Sequence, residues 1–408
     1  MPRWLIPTAY LLVSLFAATI FPRLEFALYP AFGREISVST AQALLGAVAS
    51  GMMAFTAIVF SIGMLFIQYT ATAFSKRLIL QLNRRLVIYH AFGVFVATFT
   101  FALGTLVFVN RKGSDWIPFL SLIIVELLLV ASIALLAMLI NQVAELRITR
   151  IIAYLGERGR ALIALMPGET PAAPHASEAR SPSQTVLYSG GLVVLTAIDK
   201  ARLADLARAA GATIQLEYAV GDTLYPESVL AQVYGARDTV GEAAIFGAMR
   251  LRQENFYDCD VRFSLRLLVD TAIMALSPAV NDPTTAVEAL DQILDLMIRL
   301  GQKHESGCVT DGNGKRLLIY PAPTWNDYLS LAFDEIRRYG IDALQVVRRL
   351  RAALIRLADA VEGERRAAVL EYRRRLDAEV ERHESDPVDR ATALGIDPQG
   401  LGLTRSLS

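Results

Sequence analysis

Charged residues are scarce in the first third of the chain, and cysteine is scarce throughout. Between residues 4 and 140 the charges are few and clustered, whereas after Asn141 they are frequent. Over 408 residues the hydrophobic fraction is 54% and the mean hydropathy is +0.40, which is high for a soluble protein. We therefore expect a membrane part followed by a water-facing part.

The two cysteines, Cys259 and Cys308, cannot make a disulfide framework, and neither has neighbours at metal-ligand spacing. Forty basic and forty acidic residues leave a net charge of zero, which gives no support for a nucleic-acid partner. The sequence has no HExxH or CxxC pattern and no Ser/His/Asp set of recognisable spacing, and its four histidines are scattered. The prediction is a protein that is not an enzyme and has no catalytic, metal or cofactor site.

Four apolar stretches are long enough to cross a bilayer, which takes about 20 helical residues. They are residues 4–21, a span within the uncharged run 36–75, residues 86–109 and residues 117–140. Pro22 and Arg23 are expected to end the first stretch. That stretch could also be a secretory signal, but no small-x-small cleavage site follows it, so a retained helix is favoured.

The distribution of cations predicts the orientation in the membrane. The loop between the second and third stretches contains Lys76, Arg77, Arg84 and Arg85 and no acid. Short loops rich in Lys and Arg stay in the cytoplasm. Four crossings then place both termini and the large C-terminal part in the cytoplasm. The predicted location is a bacterial inner membrane, with the lipid bilayer as the first partner.

The second apolar stretch is unusually long. Residues 36–75 would span about 60 Å if wholly helical, roughly twice the hydrocarbon thickness. Small residues recur four apart in two rows, Ala43/Ala47/Gly51 and Gly46/Ser50/Ala54. Such rows let helix backbones approach closely. The ordinary interpretation is packing within one bundle, and the alternative is a helix that lines a pore in a homo-oligomer.

Polar groups inside the membrane part are candidates for function. Glu126 lies near mid-depth of the fourth stretch, where a carboxyl must be protonated, paired or facing water. By depth, the hydroxyls of Ser50, Thr98 and Thr100 lie at a similar level. The candidate pore or polar membrane cluster is therefore Ser50, Thr98, Thr100 and Glu126, with Gln68, Lys76 and Arg77 at the inner end of the second helix. A neutral, hydrogen-bonded and purely structural Glu126 is the alternative.

The rest of the chain predicts a cytoplasmic α+β domain that is mostly helical. The predicted sections are an amphipathic extension of the fourth helix (141–166), a flexible linker (167–183), a small strand-rich α+β unit (184–236), a mostly helical section with one hairpin (237–384) and a disordered tail (385–408). Within the helical section, helices are predicted at 239–253, 261–276 and 283–300. The hairpin turn at residues 311–314 is not a calcium loop, because Lys315 and Arg316 stand where a ligand and glycine belong.

A polar turn separates two of these helices. Asp282 is suited to cap the second helix, with Pro283 at its first position, so the turn has a purely structural interpretation. In the alternative interpretation, Ser277, Asn281, Asp282 and Thr285 form a polar concavity at a helix N-terminus, suited to an ion or a cytoplasmic protein partner.

This turn also carries a resemblance to a known family. Residues 277–286, Ser-Pro-Ala-Val-Asn-Asp-Pro-Thr-Thr-Ala, followed by Glu288 and Asp291, resemble the signature of bacterial predicted membrane proteins called domain of unknown function 2254. Residues 61–70 and 75–77 are similar to that family's second membrane helix, and Gly221-Asp222 fits its strand-rich region. The resemblance extends from residue 4 to about residue 384. It implies several membrane helices and a cytoplasmic domain, and it implies no activity, ligand or catalytic residue.

Two classes of function fit these patterns. The first is an oligomeric ion channel or transporter with a cytoplasmic regulatory domain. The second is a membrane-anchored sensor or scaffold whose cytoplasmic domain binds a protein partner.

Overall fold

The structure of the chain is a computed structural model that describes residues 5–28, 36–73, 87–109, 116–144, 148–166, 181–236, 238–253, 260–303 and 307–402. The chain divides into two compact units, an N-terminal unit of residues 1–147 and a C-terminal unit of residues 148–408.

The described part of the N-terminal unit consists of long apolar helices. These are α1 (Leu5–Leu28), α2 (Val38–Ala73), α3 (Val87–Leu106) and α4 (Phe119–Ala144). Each contains a stretch of at least 18 residues that is long and apolar enough to cross a membrane. Four helices of this kind were expected, and that prediction is confirmed at the level of length and composition.

The predicted end of the first helix is wrong. Pro22 lies inside α1, which continues for six further residues to Leu28. A proline ring removes one intrahelical hydrogen bond, which a neighbouring contact can offset. Here the last turns of α1 make such contacts: Glu25 bonds the start of α4, and the Phe26 ring packs edge-on against Trp116 at a centroid distance of 5.0 Å. Arg23 and Glu25 are therefore helical residues and not part of a loop.

Helix α3 lies at the centre of the N-terminal unit, in contact with α1, α2 and α4. Two glycines of α3 allow α1 to approach closely. A Cβ on Gly104 would lie 2.4 Å from the Cβ of Ala18, and one on Gly93 would lie 2.6 Å from the Tyr10 ring. Between these points the Ser14 hydroxyl donates to the Ala97 carbonyl at 2.7 Å. Small residues and one hydroxyl thus fix the α1–α3 contact, as is usual between apolar helices.

The C-terminal unit contains two β-sheets. The larger has strand order β1-β5-β3-β8-β7 and the smaller has order β4-β2-β6. The strands are β1 (Gln184–Leu187), β2 (Val193–Ile198), β3 (Thr213–Leu216), β4 (Thr223–Leu224), β5 (Val229–Tyr234), β6 (Met249–Arg252), β7 (Cys308–Thr310) and β8 (Arg316–Ile319). The predicted hairpin is β7–β8, and β8 adds to β3 in parallel. The hairpin and the strand-rich section therefore share one sheet.

The larger helices of this unit pack on one another, and the helix between β2 and β3 packs on the larger sheet. The helices are α5 (Ile148–Ala164), α6 (Lys200–Ala209), α7 (Glu242–Gly247), α8 (Val261–Ala275), α9 (Pro283–Leu300), α10 (Trp325–Leu329), α11 (Glu335–Tyr339), α12 (Leu344–Ala360), α13 (Gly363–His383) and α14 (Pro387–Ala393), with a π-helical turn at Ser330–Asp334. The predicted helix at 239–253 is wrong, because its second half is strand β6. The residues of β6 complete the small sheet by pairing with β2.

Two predicted section boundaries differ from the structure. Within 141–166, α4 ends at Ala144 and α5 packs inside the C-terminal unit, where a Cβ on Gly159 would lie 2.6 Å from Leu296 of α9. The prediction of disorder from residue 385 is wrong for residues 385–402. That segment contains α14 and continues to Asp397, which is 0% exposed. Linker residues 167–180 lie outside the described residues.

Candidate functional site

Two of the candidate membrane hydroxyls are used inside the bundle. The Thr98 hydroxyl donates to the Val94 carbonyl and lies 3.1 Å from the Ser132 hydroxyl of α4. The Thr100 hydroxyl donates to the Val96 carbonyl of its own helix at 2.8 Å. The Thr98–Ser132 contact joins α3 to α4, and all of these bonds satisfy hydroxyls that have no water to bind in a membrane interior. Ser132, which the sequence reasoning missed, is the partner that Thr98 has in the structure.

The other two candidates face outward in the single chain. Glu126 is exposed on α4, and Ser50 is exposed on α2. Among the described hydrogen bonds, none joins Glu126 to Ser50, Thr98 or Thr100. An exposed carboxyl in the middle of an apolar helix is energetically costly next to lipid. We therefore expect Glu126 to contact water or another protein surface in the membrane. Gln68 lies in α2 but its side chain is outside the description, as are Lys76 and Arg77 altogether.

The small residues of α2 point away from its own bundle. We call the residues Ala43, Ala47, Ser50, Gly51 and Ala54 the small-residue face, and all five are exposed. The opposite side of α2 carries the buried residues Ala41, Leu45, Val48, Ala49 and Met52. A Cβ on Gly51 would have no atom within 4 Å. Within the part of the chain that the structure describes, these five residues therefore do not pack against another helix.

A buried acid beyond the predicted end of the first apolar stretch caps α4. Glu25 is 4% exposed and accepts hydrogen bonds from the backbone N–H groups of Leu120 and Ser121, at 2.7 and 3.1 Å. The Ser121 hydroxyl also donates to it, at 2.9 Å. The first N–H groups of a helix have no intrahelical partner, and a carboxylate there is favoured by the helix dipole. No local signal reveals this cap, because 95 residues separate Glu25 from Leu120.

The polar turn before α9 is held together by its own hydrogen bonds. Asp282 accepts from the Thr285 N–H at 3.2 Å and from the Thr285 hydroxyl at 2.6 Å. The Ser277 hydroxyl donates to the Met274 carbonyl, and the Asn281 N–H donates to the Ser277 carbonyl. Asn281 has φ of +46°, a left-handed conformation that asparagine tolerates better than most residues. These contacts supply the cap and turn that the structural interpretation requires.

A cleft of about 710 Å³ lies in the C-terminal unit. Its walls include the aromatic residues Tyr320, Trp325 and Tyr328, the cations Lys303 and Arg365, and the acids Glu217 and Glu364. Lys303 donates to the Met166 carbonyl at 2.9 Å, and Arg365 donates to the Lys303 carbonyl at 2.7 Å while lying over the Trp325 ring. Mixed aromatic and polar walls are typical of ligand pockets. The lining comes from five separate chain segments, which explains why the sequence did not indicate it.

A half-buried ionic cluster connects α8 with α11. Arg266 donates two parallel hydrogen bonds to Glu335, at 2.9 and 2.6 Å, and also bonds Asp270 of its own helix. The hydrogen bond from Arg266 lowers the pKa of the Glu335 carboxyl below its ordinary value. Among the described residues, no group of three or more His, Cys, Asp or Glu side chains could hold a metal ion.

Comparison with known proteins establishes the class of this chain. Residues 2–356 match the family described as predicted membrane protein (DUF2254), so the chain belongs to that family. Uncharacterized proteins of Mycobacterium bovis and Mycobacterium tuberculosis are each 28% identical to it over 369 residues, which is 87% of this chain and 71% of theirs. No solved structure matches the chain. The resemblance read from the turn and from the second helix is thereby confirmed.

Proposed function

We propose that this chain functions as a homo-oligomeric ion channel or transporter in the bacterial inner membrane, with the small-residue face of α2 at the contact between copies. The observation that carries the proposal is the exposed position of Glu126 in the middle of apolar α4. Placing a carboxyl against lipid costs several kcal/mol. At a contact between copies the same carboxyl can bind water or a polar partner.

The small-residue face supports the same assembly from a second helix. Its five residues are exposed, and they offer a neighbouring helix the close backbone approach that stabilises apolar helices against each other. Because Thr98, Thr100 and Ser132 are bonded inside one chain's bundle, the ion path in this proposal runs between copies and not through a single copy. The partners are then the lipid bilayer and further copies of this chain.

The cation-rich loop supplies the proposed selectivity. Repeated around a ring, Lys76, Arg77, Arg84 and Arg85 would concentrate anions at the cytoplasmic mouth. This selectivity requires the cation-rich loop to lie on the cytoplasmic side of the membrane. Reporter fusions after Arg34 and Arg111 are expected to report the periplasm, and fusions after Lys76 and Arg150 the cytoplasm. A periplasmic signal after Arg150 would contradict both the orientation and the cytoplasmic mouth.

Oligomer formation is tested first, by mass photometry of the protein in nanodiscs. Ala47→Trp should shift the population towards monomers because the bulky ring blocks the small-residue face. Phe60→Trp, at an exposed α2 position on a different side of the helix, is the matched control and should leave the distribution unchanged. A wild-type protein that is monomeric in both detergent and nanodiscs would end the proposal.

Ion passage is tested separately, in planar bilayers. Lys76→Glu combined with Arg77→Glu should move the reversal potential towards cation selectivity if the loop feeds a pore. Glu126→Gln should change conductance, whereas Thr100→Ser, which keeps the hydroxyl bonded to its own helix, should not. If oligomers form but pass no ions under any gating condition, the proposed assembly is retained and the channel function is rejected.

The second candidate is a membrane-anchored sensor or scaffold, and the cleft at Trp325 favours it. The cleft combines aromatic surface with charges of both signs, which suits a protein partner or an organic ligand. A photo-crosslinking amino acid at Asn326, in the cleft wall, should capture an occupant in cells. The same label at exposed Val388 is the control, and equal products from both positions would count against a specific occupant.

A further inference from the structure

The last described segment of the chain lies against one face of α12. We call residues 394–402 the strap, and Gln345, Arg348, Arg349 and Arg351 the strap-binding face. Each of these four side chains donates to a different strap carbonyl. The pairs are Gln345 with Gly400, Arg348 with Gly402 at 3.0 Å, Arg349 with Pro398 at 2.6 Å, and Arg351 with Leu394. Four side chains on neighbouring turns of one helix thus bond backbone carbonyls of this one segment.

The strap has a fixed shape of its own. Asp397 is 0% exposed, and its carboxylate accepts from the N–H groups of Gln399, Gly400 and Gly402 at 3.2, 2.8 and 2.6 Å. Gly400 and Gly402 have φ of +71° and +84°, a conformation that side chains rarely adopt. The turn therefore depends on the pattern Asp-Pro-Gln-Gly-Leu-Gly, and a buried carboxylate in such a turn needs all of these donors.

Two of the four side chains of the strap-binding face also bond groups outside the strap. Arg349 also donates to Asp291 of α9 at 2.6 Å, and Arg351 donates to Asp377 of α13 at 2.8 Å. Guanidinium groups anchored in this way keep their orientation when one partner leaves, because the other partner remains. The face is therefore a preorganised site, and the strap is its occupant.

The strap also covers α9 next to the turn that carries the family resemblance. A Cβ on Gly400 would lie 2.5 Å from Val287, one turn into α9. The family match ends at residue 356, so it includes most of the strap-binding face's helix but not the strap. The occupant is thus supplied by a segment beyond the matched region.

We propose that the strap-binding face is a peptide-binding site, occupied in cis by the strap, that takes the same Asp-Pro-Gln-Gly-Leu-Gly pattern from a second copy of this chain when its own strap is released. The proposal does not depend on ion passage. Occupation in cis lowers the apparent affinity for a peptide in trans by the fraction of time that the face is free. Release of the strap therefore determines whether the strap-binding face can bind a peptide in trans.

The test uses the full-length protein in detergent and a fluorescent peptide of residues 392–402. Gly400→Val should free the strap without substituting any residue of the face, because the added Cβ would lie 2.5 Å from Val287 of α9 at a positive φ. We expect this variant to bind the peptide at least about tenfold more tightly than wild type in fluorescence anisotropy. Leu401→Ala, at a residue 73% exposed, is the matched control and should behave as wild type. A peptide with Asp397→Ala should not bind, and Arg349→Gln added to Gly400→Val should weaken binding.

Hydrogen exchange of the strap amides decides the remaining outcomes. In Gly400→Val the Gly402 amide should lose its protection, while the amides of α12 keep theirs. Asp397→Asn is a second, milder variant with the same expectation. A strap that exchanges freely while the peptide fails to bind would overturn the proposal, as would a strap that stays protected in both variants. Loss of the α8, α9 and α12 helices in both variants would also overturn it, since the strap would then belong to the core.

Discussion

The carboxylate of Glu25, in the last turn of α1, accepts a hydrogen bond from the Ser121 hydroxyl at 2.9 Å and also bonds the Ser121 N–H. This contact ties the C-terminal end of one apolar helix to the N-terminal end of another. It explains why α1 continues past Pro22, since stopping there would leave the first N–H groups of α4 without this acceptor.

Glu25→Ala is expected to destabilise the N-terminal unit by about 1–3 kcal/mol, because buried N–H donors lose their acceptor. Glu25→Gln keeps one acceptor oxygen and should cost less. Thermal unfolding in detergent, followed by near-UV circular dichroism, measures both. Thr19→Ala is the control, since its exposed hydroxyl donates to the Phe16 carbonyl of its own helix. Equal stability of Glu25→Ala and Thr19→Ala would show that the cap contributes nothing.

Gly104→Ala should separate α1 from α3, because the added Cβ would lie 2.4 Å from the Ala18 Cβ. Overpacking of this kind costs about 1–3 kcal/mol. Gly63→Ala, where a Cβ would meet nothing within 4 Å, should be neutral or slightly stabilising because alanine favours helix. Disulfide cross-linking of cysteines introduced at Ser14 and Ala97 reports the α1–α3 distance. Unchanged cross-linking in Gly104→Ala would contradict the close contact.

Asp282→Ser should be nearly neutral if Asp282 serves only as the cap of α9, and Asp282→Ala should cost about 1 kcal/mol. Asn281→Gly should be tolerated at φ of +46°, whereas Asn281→Val should be strained. Chemical unfolding of the C-terminal unit, monitored by Trp325 fluorescence, measures each change. If Asp282→Ser abolishes activity in an ion-flux or binding assay while the fold survives, the carboxylate has a ligand and the cap is not its only role.

Glu335 should make stability depend on pH in the acid range. Its folded-state pKa is lowered from an ordinary value of 4.5, chiefly by the hydrogen bond from Arg266. A lowered pKa adds stability that is present above about pH 4.5 and is lost as the pH falls through the folded-state pKa. Glu335→Gln should therefore lower the melting temperature at pH 7 and converge with wild type below that range.

The matched control for this titration is Glu371→Gln, because Glu371 pairs with Arg374 and Arg375 of its own helix. Such pairs within one exposed helix contribute little. A wild type and a Glu335→Gln variant whose melting temperatures differ equally at pH 7 and pH 3 would contradict the assignment of the effect to this carboxyl.

Local patterns in the sequence determined the features that depend on neighbouring residues. Hydropathy alone defines the helices long enough to span a membrane, since one such helix needs about 20 apolar residues in a row. The cap by Asp282 and the β7–β8 hairpin follow from turn chemistry within a few residues. The family resemblance also rested on a short contiguous stretch, and it is confirmed over residues 2–356.

Only the tertiary structure decided the contacts between distant residues. Glu25 became a cap because α1 and α4 meet, and Thr98 bonds Ser132 rather than Glu126 because Ser132 lies on the buried side of α4 and Glu126 on its exposed side. The same holds for the strap, which lies in the segment predicted to be disordered and is ordered because α12 supplies donors for its carbonyls. The sequence defines which side chains can form hydrogen bonds and at what spacing they recur. Which partner each side chain contacts depends on how the helices and strands pack.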